Sequence, residues 1–231
     1  MKIGILQTGM VPEQLSQKHG EYPAMFERFL SNYGFEFEAY AVVSGDFPAS
    51  IKACDGWLIT GSRHGAYENH PWIPKLEALI REIHAAELPL VGVCFGHQII
   101  AQALGGKVEK FGGLWGVGHN EYHHPDGTSS RLLAMHQDQV VELPPGATVT
   151  ATSDFCKYAG LSYKGKTISI QPHPEFTPEF MTDLIDQRKG TVIPMDAAEK
   201  ALETLDQDND SHRFAVMIAD FFLKAQKEQA A

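Results

Sequence analysis

Cysteine is scarce in this sequence. There are three cysteines among 231 residues, at Cys54, Cys94 and Cys156. Their number is low and odd, so the sequence lacks the set of paired cysteines that stabilises small secreted domains. Unpaired thiols persist in a reducing compartment, and we therefore expect a cytoplasmic location.

The chain also has no excess of basic charge and no long apolar run. The formal net charge is −10 at pH 7 and the pI is about 5.5, whereas a surface that binds nucleic acid needs clustered Lys and Arg. No apolar stretch approaches the ~20 residues that cross a bilayer. The apolar run at residues 1–7 is too short for a signal peptide and predicts a first strand instead. We expect neither a nucleic-acid partner nor a membrane partner.

Motifs for phosphate and metal binding are missing as well. No Gly-x-x-x-x-Gly-Lys-Ser/Thr loop occurs, so we expect no ATP site of that type. His119, His123, His124 and Asp126 are close in sequence, but a histidine pair four residues apart converges only on a helix, which the glycines and proline of this stretch oppose. The acidic run 206–210 resembles the start of a calcium loop without its central glycine and final glutamate. We expect no metal and no organic cofactor.

What the sequence does contain is an alternation of strand-like and helix-like segments. The predicted strands are 2–6, 36–42, 56–60, 89–94, 148–152 and 166–170, and the predicted helices are 22–32, 72–86, 97–103, 178–187 and 213–226. Strands separated by helices indicate an open, mainly parallel α/β sheet, and the largely apolar strand 56–60 predicts burial on both of its faces. Residues 107–141 predict a small antiparallel hairpin region. We expect one domain, 1–231, with 191–231 as a helical C-terminal extension.

The most informative segment is residues 92–98 (GVCFGHQ). A strand-like apolar run precedes it and a helix-forming run follows it. Cys94 therefore lies at a sharp strand-to-helix turn with a glycine two residues to either side, as in the Gly-x-Ser-x-Gly elbow that carries the nucleophile of hydrolases. The amino end of the following helix favours a thiolate there. The alternative is a small buried cysteine that ends a core strand.

A second segment, residues 171–175 (QPHPE), follows the predicted strand 166–170. Pro174 favours an extended conformation for His173. Residues i and i+2 of an extended chain point to the same side, so His173 and Glu175 are presented together. A base oriented by a third group completes the general form of a nucleophile–base–orienter triad. The alternative is a proline-rich turn with a surface histidine.

These two segments resemble those of the class I, or triad-type, glutamine amidotransferases, which carry a Gly-x-Cys-x-Gly-x-Gln segment and a later His-Pro-Glu segment. The chain is similar in particular to stand-alone members related to the amidotransferase domain of GMP synthetase, a group that includes plant γ-glutamyl peptidases. The resemblance implies a flavodoxin-like sheet with helices on both faces and a triad of Cys94, His173 and Glu175. It also implies hydrolysis of the γ-amide of glutamine through a cysteine thioester, with release of ammonia.

Three other interpretations of the chain remain open. One is a γ-glutamyl peptidase or γ-glutamyl amide hydrolase that acts without a synthetase partner, whereas an amidotransferase would pass ammonia to a possible separate synthetase subunit. Another is a non-catalytic binding module on the same fold, which the presence of all three triad residues opposes. The last is a protease or chaperone of the related cysteine-elbow fold, in which His97 would have to serve as the base.

An oxyanion hole needs two N–H donors close together. The backbone N–H of Phe95, directly after the nucleophile, supplies one. The second is predicted at Gly61 and Ser62. This glycine-rich loop follows the strand 56–60, the carboxyl ends of strands form the ligand crevice of an open α/β sheet, and the loop resembles the glycine-rich oxyanion strand end of the family. An ordinary tight turn is the alternative.

Four further residues are candidates for binding the substrate. Gln98 lies on the first turn of the predicted helix, where the resemblance implies a role in holding glutamine. Gly116 and Val117 lie where family members offer backbone groups to the α-amino and α-carboxylate groups. His136 belongs to a segment similar to the Ser-His-x-Asp run of the GMP synthetase group, with methionine in place of the serine. A structural, hydrogen-bonded histidine is the alternative there.

Overall fold

Eleven strands are present in the computed structural model, which describes residues 1–112 and 114–229. Their bounds are β1 (Lys2–Leu6), β2 (Glu36–Tyr40), β3 (Gly56–Ile59), β4 (Leu90–Val93), β5 (Lys107–Lys110), β6 (Gly116–His123), β7 (Ser129–His136), β8 (Asp138–Glu142), β9 (Thr148–Ala151), β10 (Gly160–Tyr163) and β11 (Thr167–Ile170). Seven of them form one sheet in the order β2-β1-β3-β4-β11-β10-β9. The first five are mutually parallel, and β10 and β9 add an antiparallel edge.

Helices follow most of the parallel strands. Their bounds are α1 (Glu13–His19), α2 (Tyr22–Phe29), α3 (Trp72–Ala85), α4 (Phe95–Ala103), α5 (Pro178–Arg188), α6 (Met195–Leu202) and α7 (Ser211–Gln229). No helix among the described residues is both long enough and apolar enough to cross a membrane.

The sheet is covered by hydrophobic cores on both faces. Alternate residues of a strand face opposite sides, so Leu58 packs in one core with α2 and α7, whereas Trp57 and Ile59 pack in the other with α3 and α4. The flavodoxin-like α/β fold expected from the sequence is therefore confirmed. Phe222 of α7 is fully buried in the first of these cores, and we propose that the chain forms one domain in which the C-terminal segment completes the packing.

The predicted hairpin region is also confirmed. The strand β5 pairs with β8, and β6 pairs with β7, each in antiparallel register. The β6–β7 hairpin aligns Gly116 with His136 and Val117 with Met135. An isolated bridge joins Leu133 of β7 to His173, and this bridge brings the hairpin against the carboxyl end of β11.

Several elements begin or end away from their predicted positions. The strand β2 ends at Tyr40, and Val42–Ser44 form a 3₁₀ turn instead of its last residues. Helix α4 begins at Phe95, two residues before the predicted start, because Cys94 itself ends the extended chain. Helix α1 and the strand β10 were not predicted, and α6 was expected only as an undivided part of the helical extension 191–231. Helix α1 buries only Leu15, and α6 buries only two alanines.

Candidate active site

Cys94 lies at a strained turn between β4 and α4. Its backbone has φ 54° and ψ −104°, a conformation that residues other than glycine rarely adopt and that costs of order 1–3 kcal/mol. The two flanking glycines permit the turn. A Cβ on Gly92 would lie 2.5 Å from the Gly96 oxygen, and a Cβ on Gly96 would overlap the Ile59 oxygen. The segment thus has the geometry of a nucleophile elbow.

His173 and Glu175 follow β11, the strand that pairs with β4. The Cys94 N–H donates to the Ile170 oxygen across this pair at 2.9 Å. The His173 ring is oriented by Glu175, whose Oε1 accepts from Nδ1 at 2.8 Å. Both side chains are buried, with 4% and 0% of their area exposed. The spacing of two residues therefore brings base and carboxylate together, as the sequence indicates.

The third partner of the imidazole is Cys94. Burial works to lower the pKa of His173, but negative charge on Cys94 and on Glu175, together with hydrogen bonds to both, raises that pKa to about 10. Beside a thiolate, the imidazole is therefore protonated at neutral pH. A thiolate–imidazolium pair is the reactive form of a cysteine nucleophile.

Phe176 lies face to face with the His173 ring. The two ring centroids are 3.9 Å apart and the planes differ by 5°. An aromatic face stabilises a cation above it, so Phe176 favours the protonated imidazole and fixes the plane of the ring. This residue was not predicted from the sequence, although an aromatic residue directly after the His-Pro-Glu run was a signal for it.

Gly61 lies beside the imidazole of His173. A Cβ added to Gly61 would lie 2.7 Å from His173 Cε1 and 3.7 Å from Cys94 Cβ. The Gly61 carbonyl accepts from the hydroxyls of Thr8 and Thr60, each at 3.0 Å. Because the carbonyl and the next N–H point in opposite directions across a planar trans peptide, these hydroxyls aim the Ser62 N–H away from themselves. Neither Thr8 nor Thr60 was predicted from the sequence.

The structure places the predicted oxyanion residue Phe95 on α4 and three of the predicted substrate residues on the β6–β7 hairpin. Phe95 begins α4 directly after Cys94. Gly116 and His136 face each other across the β6–β7 hairpin, and a Cβ on Gly116 would lie 2.7 Å from His136 Nε2. Burial lowers the pKa of His136 to about 4, so its ring is neutral and donates from Nδ1 to the Asp138 oxygen. Val117 is the next residue of the same strand.

Gln98 is buried among protein groups. Its Nε2 donates to the backbone carbonyl oxygen of Asp138 at 2.9 Å and to Gln171 Oε1 at 3.1 Å. Gln98 thus connects α4 to the first residue of β8 and to the segment that leads to His173. Because both N–H groups of Nε2 are used in these two hydrogen bonds, any contact of this side chain with a substrate has to be made by its Oε1.

One other histidine near the elbow and the two other cysteines have different surroundings. His97 is fully buried, with Nδ1 2.8 Å from the Ser169 hydroxyl, and burial lowers its pKa to about 3. A group that stays neutral to such low pH cannot supply an imidazolium. Burial also raises the pKa of Cys156 to about 12 and raises that of Cys54. Both of these thiols therefore stay protonated at neutral pH.

An α/β sheet with an elbow cysteine and a histidine–carboxylate pair at its carboxyl edge is the arrangement of enzymes that transfer or hydrolyse acyl groups through a thiol. Comparison with known proteins gives the same class. The sequence model described as "Glutamine amidotransferase class-I" matches residues 23–188. The chain belongs to this family.

Individual relatives agree with that assignment. Gamma-glutamyl peptidase 4 of Arabidopsis thaliana is 30% identical over 230 residues, which cover 93% of this chain and 92% of that protein. One subunit of the glutamine-hydrolyzing GMP synthase of Halobacterium salinarum is 34% identical over 137 residues, 55% of this chain and 69% of that protein. A glutamine amido transferase from Methylobacillus flagellatus has the same fold, with a TM-score of 0.79, 23% identity and coverage of 97% and 94%.

Proposed function

We propose that this protein hydrolyses γ-glutamyl amide bonds through a thioester on Cys94. The observation that carries the proposal is the position of His173, which is buried between Cys94 and Glu175 with its pKa raised to about 10. The family gives the class of reaction, and this geometry supports our assignment of Cys94 as nucleophile, His173 as base and Glu175 as orienting group. No metal ion is required for the reaction.

Acylation begins with attack of the Cys94 thiolate on the γ-carbonyl carbon. The C=O electron pair moves to oxygen, and a tetrahedral oxyanion forms. The imidazolium of His173 gives its proton to the amide nitrogen while the C–N bond breaks, so ammonia or an amine leaves. The γ-glutamyl group is then held as a thioester, and the imidazole is neutral.

Deacylation uses the same groups in the opposite sense. Neutral His173 takes a proton from water as the water oxygen attacks the thioester carbon. Collapse of the second tetrahedral oxyanion breaks the C–S bond, which releases glutamate and restores the thiolate beside an imidazolium. Glu175 keeps the proton of the imidazole on Nδ1, so that Nε2 faces the reacting atoms throughout.

The oxyanion is stabilised by backbone N–H groups. We assign the Phe95 N–H, at the amino end of α4, and the N–H at Gly61 and Ser62, whose peptide is oriented by two threonine hydroxyls. Removal of one such donor typically costs 10²–10³-fold in kcat. We assign Gln98, Gly116, Val117 and His136 to the pocket that holds the glutamyl part of the substrate.

The leaving group is either ammonia or the amino group of a peptide. The match to a γ-glutamyl peptidase over nearly the full length of both chains favours the peptide, whereas the match to a GMP synthase subunit favours ammonia passed to a separate synthetase subunit. We also propose a cytoplasmic location, because all three cysteines are free and a nucleophilic thiol persists in a reducing compartment.

The test is a comparison of kcat/KM for glutamine and for a set of γ-glutamyl dipeptides with the same preparation. Turnover of either class that disappears in Cys94→Ala supports the proposal, and the larger kcat/KM identifies the leaving group. A folded Cys94→Ala protein with the turnover of the parent would exclude Cys94 as the nucleophile.

The base is tested with three further variants on one substrate. We expect His173→Ala to lose at least ~10³-fold in kcat. Glu175→Gln should lose less, because it keeps a hydrogen-bonding group and removes only the charge. His97→Ala should lose least, since its partner is Ser169. The reverse order, with His97→Ala inactive and His173→Ala active, would contradict the assignment; circular dichroism checks that each variant is folded.

A further inference from the structure

Three potential metal ligands converge on the loop between β3 and α3. Glu68 Oε2 lies 3.2 Å from His64 Nδ1 and 2.7 Å from His70 Nε2. All three ligand atoms lie within 4.8 Å of one another. This group, which we call the loop cluster, lies outside the proposed triad. It is also separate from the histidines at 119–124, whose spacing in the sequence did not favour a metal site.

The chemistry of the loop cluster suits a divalent transition metal. Two imidazole nitrogens and one carboxylate oxygen are a donor set that Zn²⁺ uses, with a fourth position left for water. Bond lengths of about 2.0–2.1 Å place tetrahedral ligand atoms about 3.3 Å apart. The distance of 3.2 Å from Glu68 to His64 is close to this value, and the distance of 2.7 Å to His70 is shorter than a metal site requires, so the His70 and Glu68 atoms would have to separate slightly.

The loop is built to hold these side chains in place. The His70 ring stacks on Trp72, with planes 12° apart, and the His64 ring packs edge-on against both. Backbone hydrogen bonds from Glu68 to Gly65 and from His70 to Glu68 fold the segment into consecutive turns. The three ligand side chains remain between 20% and 39% exposed, so an ion can enter from solvent.

We propose that His64, Glu68 and His70 bind a divalent transition-metal ion, with Zn²⁺ as the natural occupant. The ion would replace the shared hydrogen bonds at Glu68 and join both ends of the loop. The His64 N–H donates to Ser62 Oγ, which in turn donates to the Thr8 oxygen. A metal at the loop cluster therefore fixes the segment that begins at the active site and ends at α3.

The experiment measures Zn²⁺ binding to untagged, chelator-treated protein by equilibrium dialysis and elemental analysis. Every chain carries Cys94→Ala, so that the active-site thiol cannot bind the ion. We expect one Zn²⁺ per chain and a metal-dependent rise in the thermal unfolding midpoint. His64→Gln, Glu68→Gln and His70→Gln should each weaken binding at least 10-fold and remove the rise in midpoint. His212→Gln, at an exposed histidine of α7, is the matched control and should bind as the parent does.

Cobalt supplies an independent measurement. Co²⁺ at the loop cluster should give the intense visible absorption of a four-coordinate site in the parent, and that absorption should be lost in the three variants. If the parent did not bind Zn²⁺ stoichiometrically, the proposal would be overturned. The loop cluster would then be a set of hydrogen bonds that stabilises the loop. Binding that survives all of the substitutions that fold, judged by circular dichroism without metal, would overturn it equally.

Discussion

Gly61→Ala is the substitution that tests the proposed active site most directly. The change adds one carbon atom next to Cε1 of the His173 ring. That atom would lie 2.7 Å from His173 Cε1, whereas ordinary contact begins at 3.4 Å, so the two groups must separate by about 0.7 Å. The ring cannot tilt freely, because it stacks on Phe176 and its Nδ1 is held by Glu175.

The backbone of Gly61 is no freer to move than the ring. Its carbonyl is held by the Thr8 and Thr60 hydroxyls, and a shift there would carry the proposed oxyanion donor with it. Either way of relieving the contact misplaces a reacting group by a substantial part of an ångström. A displacement of about 1 Å can cost 10²-fold in rate, and we expect kcat to fall by about 10²-fold in Gly61→Ala.

The assay is steady-state turnover of one γ-glutamyl substrate, together with the thermal unfolding midpoint. Gly34→Ala is the control, because Gly34 has φ 72° and open space around the added atom. An alanine at this positive φ is strained, so the variant should be somewhat less stable, but it should keep the kcat of the parent. If folded Gly61→Ala retained kcat within about 3-fold of the parent, the contact between Gly61 and His173 would have no catalytic importance and the reasoning would be wrong.

Four other predictions concern the reactivity of the triad. A glutamine-analogue electrophile should label Cys94 alone, as peptide mapping would show, because the pKa of Cys156 is raised to about 12 by burial; labelling of Cys156 would contradict the assignment. The pKa of His173 predicts that kcat/KM falls as pH rises through about 10, when the imidazolium loses the proton for the leaving nitrogen. Glu175→Gln removes a negative charge that raises this pKa, so the alkaline limb of the pH profile should move to lower pH. Phe176→Leu removes a cation–π contact of about 0.5–2 kcal/mol and should lower kcat roughly 2- to 30-fold; an unchanged kcat would show that stacking contributes nothing.

The parts of the site that could be predicted are those with local signals. Cys94 and its flanking glycines lie within five residues, and the elbow they form depends mainly on the strand before it and the helix after it. His173 and Glu175 are two residues apart in an extended segment, which is sufficient to bring their side chains within hydrogen-bonding distance. The order of strands and helices followed from apolar patterning in the same way.

The parts that could not be predicted depend on contacts between distant segments. Gly61 contacts His173 only because β3, β4 and β11 are neighbours in the sheet. The sequence around Gly61 and the sequence around His173 do not specify this strand order. The Thr8 hydroxyl reaches the Gly61 carbonyl for the same kind of reason, because β1 and β3 are paired in the sheet. The loop cluster needs turns that bring His64 and His70 to one carboxylate, and a spacing of six residues does not specify such turns.

The helices whose bounds were not predicted have a related explanation. In α1 only Leu15 is buried, and in α6 the buried residues are Ala198 and Ala201. Neither helix has a broad stripe of large apolar side chains, which is the signal that identifies a helix in a sequence. Short helices of this kind are stabilised mainly by packing against the rest of the protein.

The order of the central strands has a consequence for how this enzyme can diversify. Gly61, Cys94 and His173 each follow one of three adjacent strands, so their mutual spacing is set by backbone hydrogen bonds whose period is about 4.8 Å. Substitutions of surface residues do not change this spacing between neighbouring strands. The segments that rim the same edge, among them those with exposed Met10 and Tyr67, are free of this constraint. The sheet therefore fixes the positions of these three residues, whereas the loops around them can change in sequence without altering that spacing.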